Sequence, residues 1–423
     1  GGPRPLRILM PSYRSHPHTG GQGVYMRHIS RALVDLGHSV DVVSGPPYPE
    51  LDPRVGLIRL PSLDLYARRK VLGGFPEFPR EALGDPIHLY EYIAHISGAF
   101  PEPNTFGMRM VRHFTRAGCP YDVIHDNQTL CWGLLELKKR TGVPVVGTIH
   151  HPITMDRRIS VEAAETLTLR LLTRRWYSFL DMQIKVARRL DPVIVVSKST
   201  ERDVVRDFGL DPARMHLVYH GIDTGTFRPL EGVARRPNRL ICTASADVPL
   251  KGLVYLIEAY AKLLPAHPDL ELHVIGSLRE GPTARLLDRL GIRDRVVFRS
   301  GLTDEDIVRM YAEASVAVSP SVYEGFGFPA GEAMACGVPT VATDGGSLPE
   351  VVGDGGIVVP ARSPDALAEA IAGLLADPAR ARALGQKGRE RILSRFQWRT
   401  AAENVTAVYG RAIADAHRRS VHA

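Results

Sequence analysis

Leu6-Arg-Ile-Leu-Met10 is a short apolar run, followed by a glycine-bearing loop, His18-Thr-Gly-Gly-Gln-Gly23, and then by Val24 to Leu36 with apolar residues at helical spacing. Gly37 closes that helix, and Ser39-Val-Asp-Val-Val43 begins a second apolar run. Strand, helix and strand in this order make a βαβ unit, whose crossover forces the two strands to be parallel. A parallel sheet must be covered on both faces, so its strands read as continuous apolar runs between helical stretches. Further runs of that kind are Asp122-Val-Ile-His125, Val143 to Ile149 and Val193-Ile-Val-Val196. The second half repeats the theme with Arg239 to Ala244, Leu270 to Ile275, Arg295 to Phe298, Ser315 to Ser319 and Pro339 to Ala342. Between them lie helical patterns such as Leu253 to Leu264 and Asp304 to Ala314.

At 423 residues the chain exceeds what one core usually supports. The alternation therefore predicts two doubly wound α/β domains, residues 1–222 and 223–397. The seam lies near Asp223 to Asn238, where Thr-Gly-Thr, two prolines and a charge run replace apolar periodicity. Ligands of open parallel sheets bind beyond the carboxyl ends of the strands, which for two facing domains is the cleft between them. Two stretches depart from the alternation. Residues 62 to 110 are rich in Pro, Gly and aromatics without clear periodicity, which suggests a long excursion over the mouth of the first domain. Residues 157 to 189 read as a long basic helix carrying Arg157, Arg158, Arg170, Arg174, Arg175, Lys185, Arg188 and Arg189, either a solvated face or a peripheral membrane contact.

Charge sorts the partner classes. Residues 1–222 hold 29 Lys and Arg against 22 Asp and Glu, whereas the remainder balances at 24 against 24, so the whole +7 lies in the first half. That half is the one expected to meet an anionic partner, a phosphorylated substrate or a lipid surface, and no motif supports nucleic acid. Cys119, Cys131, Cys242 and Cys336 are scattered without CxxC spacing, which argues against a disulfide framework or a zinc site. The opening Gly1-Gly-Pro-Arg lacks an initiator Met and shows no basic-then-apolar secretory pattern, and a cytoplasmic location, with peripheral contact to the inner membrane face as its variant, is the expectation.

The stretch Tyr323-Glu-Gly-Phe-Gly-Phe-Pro-Ala-Gly-Glu332 carries the chemistry. Ser315 to Pro320 is a strand, Glu324 sits in the turn at its carboxyl end, and Pro329 suits the start of a helix. Gly325 and Gly327 let the backbone approach a ligand, and the N–H groups of Phe326, Gly327 and Phe328 can point at it, so the turn suits an oxygen-rich, partly anionic molecule. Glu332 is expected in the first helical turn, where the dipole favours a carboxylate; paired with Glu324, it can instead bridge vicinal hydroxyls of a sugar and a ribose. Lys251, in the loop after the strand Arg239 to Ala244, is a cation beside any developing phosphate charge. Val145-Val-Gly-Thr-Ile-His150-His151 ends a strand on two histidines, only one of which can face a ligand. His125-Asp-Asn127 ends the preceding strand. Gly20-Gly21 lies between the first strand and helix, and GGQGVY is not a dinucleotide fingerprint. Asp304-Glu-Asp306, following Thr303, reads as a helix cap rather than a metal-binding DxD, and no metal is expected.

Glu324 and Glu332 form an E-x7-E pair inside EGFGFPAGEAMACGVP, which resembles the signature of the retaining glycosyltransferases of family four, with the GT-B fold of two facing Rossmann-like domains. The similarity extends to Gly20-Gly21, Val193-Ile-Val-Val-Ser197, His220-Gly-Ile-Asp223, Lys251-Gly252 and Gly345-Gly-Ser-Leu-Pro-Glu350. The resemblance implies transfer of a hexose from a nucleotide-diphosphate sugar to a hydroxyl acceptor, open to phosphorylated or lipid-linked acceptors, without a cofactor or metal. It implies that Glu324 contacts the donor sugar and Glu332 the ribose. Backbone amides of Phe326 to Phe328, with Gly325 beside them, would address sugar and phosphate, Lys251 would neutralise the diphosphate, and the donor-side loop Gly20-Gly21 would approach the donor phosphates or the acceptor. His150 matches the family's histidine, a contact to the donor sugar or acceptor hydroxyl, with His151 and Asn127 as acceptor-side candidates. A C-terminal helix from 398 to about 416 would return to the first domain. Ser245 stands where the family usually has Arg; a hydroxyl brings no charge, so diphosphate stabilisation must be weaker or shared. Asp247 is expected to face solvent. The alternatives are a GT-B epimerase or phosphorylase, or a non-catalytic sugar-nucleotide binder.

Overall fold

The computed structural model describes residues 4–16, 21–244 and 247–422. The chain divides into two compact units, one of Gly1–Val196, Thr200–Val218 and Ala401–Ala423, the other of Ser197–Ser199 and Tyr219–Thr400.

The first unit runs β1 (Arg7–Ser12), α1 (Gly21–Asp35), β2 (Ser39–Ser44), β3 (Gly56–Arg59), α2 (Pro86–Ile96), α3 (Glu102–Ala117), β4 (Val123–His125), α4 (Trp132–Thr141), β5 (Val145–Ile149), α5 (Ile153–Ala163), α6 (Leu167–Trp176), α7 (Leu180–Ala187), β6 (Val193–Val195), α8 (Lys198–Phe208) and β7 (Met215–Leu217). Its strands pair in parallel in the order β3-β2-β1-β4-β5-β6-β7. The middles of the central strands are buried, as doubly covered strands must be: Ile8, Leu9, Val123, Ile124, Val193 and Val195 are closed to solvent. Chain order reverses between β1 and β4, so the loops after these two strands leave the sheet in opposite directions and open a crevice.

The second unit contains β8 (Arg239–Thr243), α9 (Leu253–Leu263), β9 (Glu271–Ile275), α10 (Pro282–Leu290), β10 (Val296–Arg299), α11 (Asp304–Glu313), β11 (Val316–Ser319), α12 (Phe328–Ala335), β12 (Thr340–Thr343), α13 (Leu348–Val352), β13 (Ile357–Val359), α14 (Pro364–Ala376) and α15 (Pro378–Arg395). Its sheet is again parallel, in the order β10-β9-β8-β11-β12-β13, and its switch point lies between β8 and β11. The last helix, α16 (Trp398–Val421), clusters with the first unit from Ala401 onward. There the Thr406 hydroxyl lies 3.2 Å from His38 Nε2, and the Tyr409 hydroxyl lies 2.5 Å from His125 Nδ1.

Two expectations need correction. The excursion after residue 62 is not structureless: it contains α2 and α3, the latter burying Phe106, Met110 and Phe114 against the sheet. Residues 157 to 189 are not one helix but parts of α5, α6 and α7, broken where the α5 hydrogen bonds end at Ala164 and where Thr166 caps α6 by accepting from the Leu169 N–H. Asp304-Glu-Asp306 is the helix start that the sequence predicts, with Thr303 and Asp306 forming a capping box.

Candidate active site

In the second unit the loops after β8 and β11 meet at the switch point. Pro249–Lys251 form one 3-10 turn, closed by Gly252 at φ +66°. A Cβ on Gly252 would stand 2.1 Å from the Pro320 carbonyl oxygen, so only glycine lets the β8 loop lie directly on the β11 loop. Through that approach the Lys251 ammonium reaches the Glu324 carboxylate at 3.0 Å, and the Ser321 hydroxyl donates to the same oxygen at 2.7 Å. Both charged side chains are mostly buried, Lys251 at 24% and Glu324 at 12% exposure. The Glu324 main chain is held as firmly, because its carbonyl accepts from the Ser347 N–H and hydroxyl, both at 2.9 Å. Gly346, at φ +60°, permits this contact: its Cβ would stand 2.2 Å from that carbonyl oxygen. Thus the Gly345-Gly-Ser347 stretch is a clamp on Glu324.

The turn Gly325 to Gly327 then leads into α12, with Gly327 at φ +103° immediately before it and Pro329 in its first turn. The first intrahelical bond runs from Gly331 N–H to Gly327 carbonyl, so the amides before it are directed off the helix end. Phe326 and Phe328 turn their rings the other way, into a cluster with His220, Phe396 and Trp398. The His220 ring stacks on Phe328 at 5.4 Å between centroids and lies 5.1 Å from Phe326. Burial holds His220 down to about 3, so it is a neutral aromatic spacer there. Glu332 is the fifth residue of α12 rather than a first-turn residue, half-buried and close enough to Tyr311 and Cys336 to help burial hold their protons. Asp247 does not simply face solvent; it accepts from the Thr283 hydroxyl at 2.7 Å and the Arg279 N–H at 3.3 Å. Within the second unit Glu350 accepts from the N–H groups of Lys198 and Ser199 and from the Tyr219 hydroxyl. Ser245 lies outside the described residues.

In the first unit the crevice loops converge in the same manner. Asn127 follows β4; its amide group donates to the Gln22 carbonyl at 3.3 Å and the Ser12 hydroxyl at 3.4 Å. With the nitrogen so used, its oxygen faces His150 Nε2 at 2.5 Å, which fixes the Nε2–H form of the imidazole. Tyr25 packs edge-on against the same ring at 4.7 Å. Gly21 is the first residue of α1, beside Gln22, so the start of α1, Asn127 and His150 form one constellation; Gly20 lies outside the described residues. His151 points elsewhere, to Asp156 at 3.2 Å.

Gln128, which the sequence does not single out, holds this strand end together. At φ +53° its side chain accepts from the His150 N–H at 2.7 Å and donates to the His151 carbonyl at 2.8 Å. The neighbouring Leu130 is also left-handed, at φ +45°, with its N–H bound by Asp126 at 2.9 Å. Two such residues in four mark a loop whose strain the surroundings maintain, as functional loops often do. Burial pushes Asp126 up to about 7 and holds His125 down to about 3.

A profile of group 1 glycosyl transferases matches residues 231–391, and one of glycosyltransferase family 4 matches residues 19–226. The MMP alpha-(1->4)-mannosyltransferase of Mycolicibacterium hassiacum is 46% identical over 416 residues, 97% of this chain and 99% of that protein. The chain belongs to glycosyltransferase family 4. Among solved structures, sucrose-phosphate synthase of Thermosynechococcus elongatus superposes with a TM-score of 0.72 at 25% identity, covering 97% of this glycosyltransferase and all of that chain. Anabaena HepE, solved with UDP and glucose, gives 0.68 at 19% identity over 95% and 98% of the two chains, which speaks to the fold alone. The two parallel-sheet units of this glycosyltransferase are those of the GT-B fold, and its reaction is sugar transfer from a nucleotide sugar.

Proposed function

We propose that this glycosyltransferase moves a hexose, with mannose as the first candidate, from a nucleoside-diphosphate sugar to a hydroxyl of a saccharide acceptor, with retention at the anomeric carbon and without a metal ion. The candidate sugar and the α-(1→4) linkage come from the name of the 46%-identical relative. The observation that carries the reading is the Lys251–Glu324 pair at 3.0 Å beside the start of α12. It sets an ammonium, off-axis amides and a clamped carboxylate within one turn, the groups that a diphosphate and a sugar ring need together. In this reading Glu324 and the amides of Gly325 to Phe328 take the sugar hydroxyls and phosphate, Lys251 the leaving diphosphate, and Glu332 the ribose. His150, oriented by Asn127, takes a sugar or acceptor hydroxyl, and the start of α1 approaches the donor. The leaving diphosphate departs from the face that the acceptor enters, and its own oxygen helps to remove the acceptor proton. The chain then contributes positioning and charge rather than a strong base.

The test is a thermal-shift panel of UDP-, GDP- and ADP-sugars in EDTA, followed by product analysis with and without an oligosaccharide. A donor at a hundred times its Kd stabilises by about 2.7 kcal/mol. Donor consumption without acceptor that yields an isomerised sugar nucleotide, or turnover abolished by EDTA and restored by Mg²⁺, defeats the proposal.

A second reading concerns location, and one observation favours it. No described helix is long and apolar enough to cross a membrane. Yet α6 buries none of its residues and exposes Leu167, Leu169, Leu171 and Leu172 beside Arg170, Arg174 and Arg175, the composition of a segment that rests on an anionic bilayer. Co-sedimentation with phosphatidylglycerol vesicles that survives Leu171→Ser/Leu172→Ser rules this out.

A further inference from the structure

The first unit contains a groove of roughly 470 Å³ between the end of β3 and the C-terminal half of α3. Arg59, Arg109, Arg112, His113 and Arg116 line it, and Leu60, Pro61 and Ala117 supply a short apolar wall. Helical spacing explains the cluster: Arg109, Arg112 and Arg116 recur at three and four residues and so share one face of α3. The groove has a built floor. Arg109 is 4% exposed, its Nη1 donates to Glu91 at 2.6 Å, and its Nη2 lies 2.8 Å from His88 Nδ1. Its Nε is buried without a hydrogen-bond partner. Arg112 is oriented by a two-pronged pair to Asp85, both contacts 3.0 Å. Those carboxylates neutralise two of the four guanidinium charges. Arg59, whose guanidinium lies over the Tyr48 ring at 5.5 Å, and Arg116 have no carboxylate partner among the described residues. Four guanidinium groups lining one groove, two of them without a carboxylate partner among the described residues, offer an anion charge-assisted hydrogen bonds.

We propose that this arginine groove is a second ligand site, for a small phosphorylated molecule, separate from the donor and acceptor chemistry assigned to the other loops. Guanidinium forks match phosphate oxygens in pairs, which favours phosphate over a single carboxylate. The volume falls in the range of small-molecule sites and far below that of a polymer track. His113 is the one aromatic ring in the lining, so a nucleobase has little to stack on, and a sugar phosphate or inorganic phosphate fits better than a nucleotide. The excess positive charge of residues 1–222 steers such anions toward this unit.

The test is isothermal titration of the full chain, in metal-free buffer, with inorganic phosphate and with glucose 6-phosphate as probes. Three proteins are compared: the native chain, the double variant Arg59→Gln/Arg116→Gln, and Lys251→Gln. Both substituted arginines are exposed, so the double variant should keep the native thermal midpoint. The expected result is binding to the native chain, weakened at least tenfold in the double variant and retained in Lys251→Gln; the tighter probe then names the source of the phosphate. No binding of either probe at about 10 mM, undiminished binding to the double variant, or loss in Lys251→Gln alone would overturn the proposal.

Discussion

Replacing Glu324 by Gln separates the two roles that its position allows. The amide keeps the volume and one acceptor oxygen for the Ser321 hydroxyl at 2.7 Å, but it removes the charge that faces Lys251 at 3.0 Å. The pair is mostly buried but not sealed, and Lys251, at 24% exposure, can recover hydration. The stability loss is therefore that of a partly screened ion pair, about 1 kcal/mol. On a unit of this size that lowers Tm by roughly 2–4 °C. Catalysis should suffer more. A carboxylate gripping sugar hydroxyls makes charge-assisted bonds of about 1.5–3 kcal/mol, so kcat/KM should fall roughly 10- to 150-fold. The fall should sit in kcat, because the released ammonium of Lys251 remains available to the diphosphate and donor KM should not rise. Lys251→Gln should instead raise donor KM and lower kcat together. Initial rates over a donor series, with thermal midpoints on the same preparations, read both quantities. Full activity in Glu324→Gln removes the carboxylate from the donor site, and a large rise in donor KM at unchanged kcat shows that it binds ground state and transition state equally.

Three further outcomes follow from the geometry. Gly346→Ala would place a methyl 2.2 Å from the Glu324 carbonyl at a left-handed position, so it should cost at least 1 kcal/mol of stability and over tenfold in activity; a variant with native rates, measured by the same assay, shows that the clamp is dispensable. Asn127→Ala leaves His150 without its 2.5 Å partner and should lower kcat about tenfold, with Asn127→Asp, which retains an acceptor, losing less; equal rates in all three proteins contradict the orienting role. His220, held at about 3 by burial against an ordinary value near 6.5, takes up a proton on unfolding, so stability is complete above about pH 6.5 and declines as pH falls toward 3. His220→Gln should flatten the fall of Tm between pH 6 and 4, and Asp126→Asn should act oppositely, because raising Asp126 to about 7 makes stability decrease from pH 4 to 7. Unchanged Tm profiles refute both assignments.

What could be read in the chain and what could not divides along a physical line. Strands buried on both faces are visible because burial demands an uninterrupted apolar run, which is why Leu6-Met10 and Ser315-Ser319 lie within two residues of β1 and β11. β3, at the sheet edge and only half-buried, carries no such demand and leaves no comparable mark. α3 was hidden for a different reason: its buried face includes Thr105 and Arg109, polar residues made tolerable by Glu91, so a count of apolar spacing misses the helix. Gly327 is legible as a position where the backbone needs room, and Gly252 and Gly346 only as members of resembling motifs; the contacts that require glycine at all three are not legible, since Pro320, Leu348 and Glu324 arrive from other loops. The same limit explains Gln128 and Ser321. Each holds a site residue through one or two hydrogen bonds, and one hydrogen bond imposes no periodicity on the sequence.

The Lys251–Glu324 contact bears on Ser245. In the proposed reading, with serine in place of a second cation, Lys251 is the charge that meets the diphosphate, and Glu324 lies 3.0 Å from it. A donor must therefore offer the ammonium more than the carboxylate does, while its sugar hydroxyls repay the carboxylate for the lost partner. A nucleoside diphosphate alone supplies only the first half of that exchange, and a free sugar only the second. Donor sugar nucleotide should thus bind more tightly than the sum of its parts predicts, and Ser245→Arg should narrow that gap by strengthening the bare diphosphate selectively. Calorimetry of nucleoside diphosphate against intact donor, in both proteins, decides it: an equal gain for the two ligands means that the diphosphate does not compete with Glu324 for Lys251.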